Sequence, residues 1–174
     1  PKGIGAIYKR DGVELSPILF GAGHERGLRP GTENVPCIVG LGKACEIAKR
    51  DIDSRVSYAK FLSERLHSGL EKEIPDLKLN GHPDKRLPNT LNLCFPDTDA
   101  SSLIEKLKGE IAASTGSACH AGKHTPSPVL KAIGLSDKDA LSSVRFSVGK
   151  DNTEKEIREA VRIIINALKG ERMC

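Results

Sequence analysis

Between Val35 and Leu70 the apolar residues return at helical spacing: Val39, Leu41, Ala44, Ile47 and Ala48, then Val56, Phe61, Leu62, Leu66 and Leu70. The pattern predicts one long helix or two abutting ones, with Gly69 and Pro75 marking its end. The domain boundary is expected inside it, with residues 1–50 as the tail of one domain and residues 51–174 in another.

The second part mixes periods. Short apolar segments at Leu77–Leu79 and Thr90–Phe95, separated by the turn former Asn80-Gly81-His82-Pro83-Asp84, read as two strands. Asp99 reads as the cap of a short helix over Ser101–Lys108, and Ser127-Pro128 as the start of another. Ile111-Ala112-Ala113-Ser114 is strand-like, and Val144, Phe146 and Val148 alternate with Arg145 and Ser147 as a half-buried strand does. Thr153 followed by Glu156 makes a capping box ahead of the stripe Ile157, Val161, Ile164 and Ile165. This mixture predicts an α+β domain, with helices covering one face of a small sheet.

The chain begins without Met, and Pro1-Lys2-Gly3 runs directly into the strand-like Ile4-Gly5-Ala6-Ile7-Tyr8, as though cut from within a longer fold. Composition is that of an ordinary globular protein, with 38% hydrophobic and 29% charged residues. Lys and Arg number 27 against 23 acids, without a basic block, which favours small anions over nucleic acid. Four Phe and two Tyr residues show no stacking pattern for bases. An apolar run of the roughly 18 residues a membrane span needs is missing, and so is a signal region. Five cysteines without paired short spacings argue against a disulfide framework and for a reducing intracellular setting, cytoplasmic or organellar.

Three places could carry chemistry. Cys119 sits in the polar run Ser114-Thr115-Gly116-Ser117-Ala118-Cys119-His120-Ala121-Gly122-Lys123-His124, where Lys123 and the two histidines could lower its pKa and favour the thiolate. An inert loop cysteine fits the same residues, and so, less well, does a zinc ligand: no CxxC or distant His pair completes a set of four. The loop from Phe20 to Asn34, rich in Gly and Arg, fails the G-x-G-x-x-G pattern because the sixth position is Arg26. With Arg26, Arg29 and Thr32 it could bind a phosphate, or be a solvated loop. Arg145 projects to the face opposite Val144 and Phe146; it could grip a carboxylate through its planar fork, or be a surface arginine.

Taken in order, Pro1-Lys2-Gly3-Ile4-Gly5-Ala6, Gly23-His24-Glu25-Arg26-Gly27-Leu28-Arg29-Pro30-Gly31-Thr32-Glu33-Asn34, Leu87-Pro88-Asn89-Thr90, Gly116-Ser117-Ala118-Cys119 and Val144-Arg145-Phe146-Ser147-Val148-Gly149 resemble the NifS-type cysteine desulfurases and selenocysteine lyases, which are fold-type I pyridoxal-phosphate enzymes. The resemblance runs along nearly the whole chain. It implies that residues 1–50 are the end of the large cofactor domain, with a strand, a phosphate-side loop and the start of the connecting helix. Residues 51–174 would be the C-terminal small domain with the active-site cysteine loop. Cys119 matches the persulfide-forming cysteine and Arg145 the arginine that grips the substrate α-carboxylate. Thr32 matches the residue that reaches the cofactor phosphate of the partner subunit in dimeric members.

The resemblance further implies conversion of L-cysteine or L-selenocysteine to L-alanine with pyridoxal 5'-phosphate, in a homodimer that passes sulfur to an acceptor or scaffold protein. With selenocysteine, selenium could leave without a covalent relay, and Cys119 would then set specificity. The lysine that holds the cofactor precedes the Pro-Lys-Gly segment in the family and has no match here; Lys2 is the motif's second lysine. The chain alone is therefore expected to be inactive and not to hold the cofactor stably. The alternative is a non-catalytic sulfur-relay or scaffold module working through Cys119.

Overall fold

The computed structural model describes residues 2–115 and 125–169. The chain divides into two compact units, Pro1–Ile52 and Asp53–Cys174. A single helix, α1 (Val35–Glu71), carries the long apolar pattern, so the two-helix option is set aside.

The first unit contains no strand among its described residues. The strand expected over Ile4–Tyr8 is irregular, with Ile7 83% and Tyr8 92% exposed. The reason is that a strand needs a neighbour: without one its backbone gains no ladder bonds, whatever the propensity of its side chains. The Gly and Arg loop is a sharp turn. Glu25, Arg26 and Gly27 all have left-handed backbone, with φ of 49°, 60° and 80°, closed by Gly27 N donating to His24 O at 3.0 Å. Gly21 packs so closely on Pro30 that an added Cβ would lie 2.8 Å from the proline Cβ. After the loop Asn34 starts α1: its Oδ1 accepts from Cys37 N at 3.3 Å, as an N-cap does.

The second unit is built on a three-stranded antiparallel sheet in the order β1 (Lys78–Leu79), β2 (Thr90–Cys94), β3 (Ser143–Ser147). Leu91, Leu93, Val144 and Phe146 form its apolar face. Against them pack Leu62, Leu66 and Leu70 from α1, Leu103 and Leu107 from α2 (Ala100–Leu107), and Ile157 and Ile164 from α5 (Glu154–Lys169). The expected α+β layering, helices on one face of a small sheet, is what folds.

The local signals behave as their chemistry predicts. Asp99 caps α2 by accepting from Ser102 N at 2.7 Å. In the box ahead of α5, Thr153 N donates to Glu156 Oε2 at 2.7 Å while Glu156 N donates to Thr153 Oγ1 at 3.2 Å. Ser127-Pro128 opens α3 (Pro128–Ala132). The sequence reading misses α4 (Asp137–Leu141), whose signal is Ser136: its hydroxyl accepts from Asp139 N at 3.1 Å. Residues 111–114 contribute one bridge, Ser114 to Arg145, and no full strand.

Helix α1 ends at Glu71, between Gly69 and Pro75 as expected, and Gly69 has a packing role besides. It lies inside α1 and faces α5, where an added Cβ would sit 2.8 Å from Val161 Cγ2. Alanine would gain about 1 kcal/mol of helix propensity, but overpacking a fitted core costs about 1–3 kcal/mol, so Gly69→Ala is expected to be net destabilising. Leucine at this position should cost more. Urea denaturation of Gly69→Ala alone and with Val161→Ala checks the cause: the double variant should lose less than the two single losses added together.

Candidate functional site

The sheet's second face is polar because the residues of the opposite parity are polar. Thr90 and Asn92 on β2 stand beside Ser147 and Arg145 on β3, the pairs being Thr90 with Ser147 and Asn92 with Arg145. Arg145 N donates to Ser114 O at 2.7 Å, and Ser114 N donates to Arg145 O at 3.1 Å. Both backbone groups of Arg145 thus point away from β2. That makes Asn92 and Arg145 a non-hydrogen-bonded pair, the kind whose side chains approach most closely. The Arg145 side chain is exposed and its guanidinium has no hydrogen bond or ion pair with any described residue. Elsewhere Arg50, Arg158 and Arg162 all pair with carboxylates.

One end of this face is closed by a directional hydrogen-bond chain. Ser143 Oγ donates to the backbone carbonyl of Asp139 at 2.6 Å, and Asn80 Nδ2 donates both to Ser143 Oγ at 2.9 Å and to Asn92 Oδ1 at 2.6 Å. Cys94 is buried at the same end, its Sγ 3.7 Å from Asp139 Oδ1. Burial first, and the Asp139 charge second, push the Cys94 thiol up, so it stays protonated and is a poor nucleophile. Asp139 itself is held below the usual carboxylate range by the Ser136 hydroxyl and then by Lys78.

The other end is fixed by Leu87-Pro88-Asn89-Thr90. The buried Ser63 of α1 donates to Pro88 O at 2.8 Å, and Val148 N donates to Asn89 O at 2.9 Å. This segment latches β2 to β3, which sets the register that puts Arg145 beside Asn92. Sequence reading missed Ser63, Asn80 and Asn92. The available signal was parity: Asn92 alternates with Leu91 and Leu93 just as Arg145 alternates with Val144 and Phe146.

Thr32 belongs to the first unit, exposed beside Gly31, whose φ is 104° and whose carbonyl accepts from Arg29 Nη1 at 3.4 Å. In the same loop His24 Nδ1 is buried without a hydrogen-bond partner, and the Arg26 side chain has none among the described residues. A hydroxyl and two guanidinium groups in one loop are donors suited to a phosphate. Backbone strain on the order of 1–3 kcal/mol per left-handed residue at Glu25 and Arg26 is the kind found where a loop is shaped for a ligand. Cys119, with His120, Lys123 and His124, lies outside the described residues. It follows by five positions Ser114, the bridge partner of Arg145.

The α+β unit with its polar sheet face, joined through α1 to the strained loop, defines a class: the chain belongs to the class-V aminotransferase family, whose model matches residues 1–159. Among its relatives, the cysteine desulfurase IscS of Anaeromyxobacter sp. (strain K) is 44% identical over 165 residues, which are 94% of this chain and 41% of that protein. A cysteine desulfurase of Pongo abelii is 42% identical over 171 residues, 97% of this chain and 37% of its own length. Two solved NifS-like proteins are similar in structure. One has a TM-score of 0.79 at 34% identity, covering 93% of this chain and 41% of the other. The second, from Rickettsia africae, has a TM-score of 0.76 at 28% identity over 90% of this chain and 41% of its own. The chain therefore spans about two fifths of the relatives it matches, and the expected NifS-type resemblance and fold class hold. No helix among the described residues is long and apolar enough to cross a membrane.

Proposed function

We propose that this chain is the C-terminal part of a pyridoxal-phosphate-dependent cysteine desulfurase. The observation that carries the reading is Arg145: an exposed guanidinium without a partner among the described residues, on a polar sheet face and bonded through its backbone to Ser114, five positions before Cys119. An arginine held in that way suits bidentate binding of an α-carboxylate. L-cysteine so oriented would present its sulfur to the Cys119 thiolate. The new S–S bond forms as the substrate Cβ–S bond breaks; the bonding electron pair stays with carbon, which takes up a proton, and the substrate leaves as L-alanine while Cys119 keeps the sulfur as a persulfide.

Pyridoxal phosphate, when bound, supplies the electron sink for the carbon chemistry. Of the residues present, Thr32 is assigned to its phosphate, reaching across a homodimer. Thr32 is exposed and its loop carries the cationic side chains of Arg26 and Arg29, which suits a phosphate contact. The persulfide would pass to a sulfur-acceptor protein in a reducing compartment, where the thiol survives. The relatives' names favour this enzyme over the sulfur-relay module without catalysis.

The test is chemical balance in the full-length protein loaded with pyridoxal phosphate. With L-cysteine and a thiol reductant, L-alanine and sulfide are expected in equal amounts. Without reductant, one sulfur per active site is expected on the tryptic peptide that contains Cys119. Pyruvate and ammonia in place of alanine would reject the desulfurase reading.

A further inference from the structure

Asn92 stands directly opposite Arg145 on the polar face, and the direction of its amide is fixed by neighbours that leave no choice. A backbone carbonyl can only accept, so the 2.6 Å contact from Ser143 Oγ to Asp139 O consumes the serine proton. Ser143 Oγ must then accept from Asn80, which places the Asn80 amide nitrogen, with its two protons, toward both Ser143 and Asn92. The atom of Asn92 that meets it at 2.6 Å must therefore be Oδ1. With its oxygen committed, Asn92 keeps Nδ2, which makes no hydrogen bond to any described residue, for the side of the amide away from Asn80. Asn92 is half-buried, and its cross-strand neighbour is a guanidinium that is likewise unpartnered.

From this we infer that Asn92 is a second ligand of the substrate α-carboxylate, donating from Nδ2 beside the Arg145 fork. The inference rests on the assignment of Arg145 to that carboxylate. Two oxygens of a carboxylate offer about four lone-pair directions, and a bidentate arginine occupies two of them. A neutral donor at the neighbouring strand position fills a third without bringing a charge that would compete with Arg145 for hydration. The Asp139 carbonyl, Ser143 and Asn80 act as a relay that holds this donor ready before substrate arrives, so no amide rotation is needed on binding. The arrangement also discriminates: an amine substrate without the carboxylate leaves both Nδ2 and the guanidinium unsatisfied, and gains nothing from either.

The experiment uses the full-length holoenzyme and compares L-cysteine with cysteamine, which lacks only the carboxylate, by spectroscopic titration of wild type, Asn92→Ala, Asn92→Asp and Arg145→Ala. Asn92→Ala is expected to weaken L-cysteine by roughly tenfold or more, the worth of a hydrogen bond to a charged group, and to leave cysteamine unchanged. Asn92→Asp keeps the size of the side chain but sets a negative charge against Arg145, and should weaken L-cysteine further while cysteamine again holds its affinity. Equal weakening of both ligands by Asn92→Ala would reduce the residue to a structural member of the sheet. If Arg145→Ala weakens L-cysteine and neither Asn92 variant does, the Asn92 assignment alone falls. If Arg145→Ala also has no effect on L-cysteine, the carboxylate site itself is elsewhere and both assignments fall together.

Discussion

Cys119→Ser in the full-length enzyme is expected to lower alanine production from L-cysteine on the order of a thousandfold or more, since loss of a covalent nucleophile removes the step it performs and leaves only binding and orientation. Serine keeps the shape and the hydrogen-bonding capacity of the site. What it lacks is an accessible anion, because an alcohol remains protonated at a pH where a reactive thiol can ionise. The variant should therefore still bind L-cysteine and cofactor while failing to take up sulfur. Cys94→Ala is the matched control: its thiol is buried and held protonated, so its loss should leave turnover intact and cost about 1 kcal/mol of stability from the contact with Asp139. Mass mapping of bound sulfur, alongside alanine release, reads both variants. Sulfur arriving on Cys37, Cys45 or Cys94, or full turnover by Cys119→Ser, would remove Cys119 from the reaction.

For Arg145→Ala the expected result is weakened L-cysteine with cofactor occupancy unchanged. Truncating one partner of a charge pair costs about 2–5 kcal/mol. The low end applies if water reaches the pair, as the exposure of the free side chain implies, and 2 kcal/mol is about thirtyfold in Kd. Arg145→Lys should recover only part of this, since an ammonium retains the charge and loses the planar fork. Fold stability is not expected to change, because the guanidinium makes no hydrogen bond or ion pair with a described residue and the backbone bonds to Ser114 persist in both variants. Titration of substrate and a cofactor absorbance measurement on the three proteins decide the matter. Lost cofactor with unchanged substrate affinity would move Arg145 to a phosphate-binding or structural role.

What was legible in the amino-acid order was whatever neighbours within a few residues enforce. The cap of α2 by Asp99, the Thr153–Glu156 box and the alternation along β3 are local: each needs only a turn of helix or a pleat to express itself, so the residues announce it. Arg145 and Cys119 are candidates on side-chain chemistry, but residue type alone leaves each open to a bland role, and it is the ordered motifs of the family resemblance that single them out. Tertiary structure decided what depends on a partner far along the chain. Ile4–Tyr8 has strand-forming side chains but no strand pairs with it among the described residues, so it stays irregular. Gly69 reads as near a helix end and is, while the close approach of Val161, remote in sequence, is what requires its missing Cβ. Asn92 looks like one more polar residue in a strand until the β2–β3 register sets it opposite Arg145 and the Asp139–Ser143–Asn80 chain fixes the direction of its amide. Register and donor direction are properties of segments brought together, which is why they emerge only when the chain has folded.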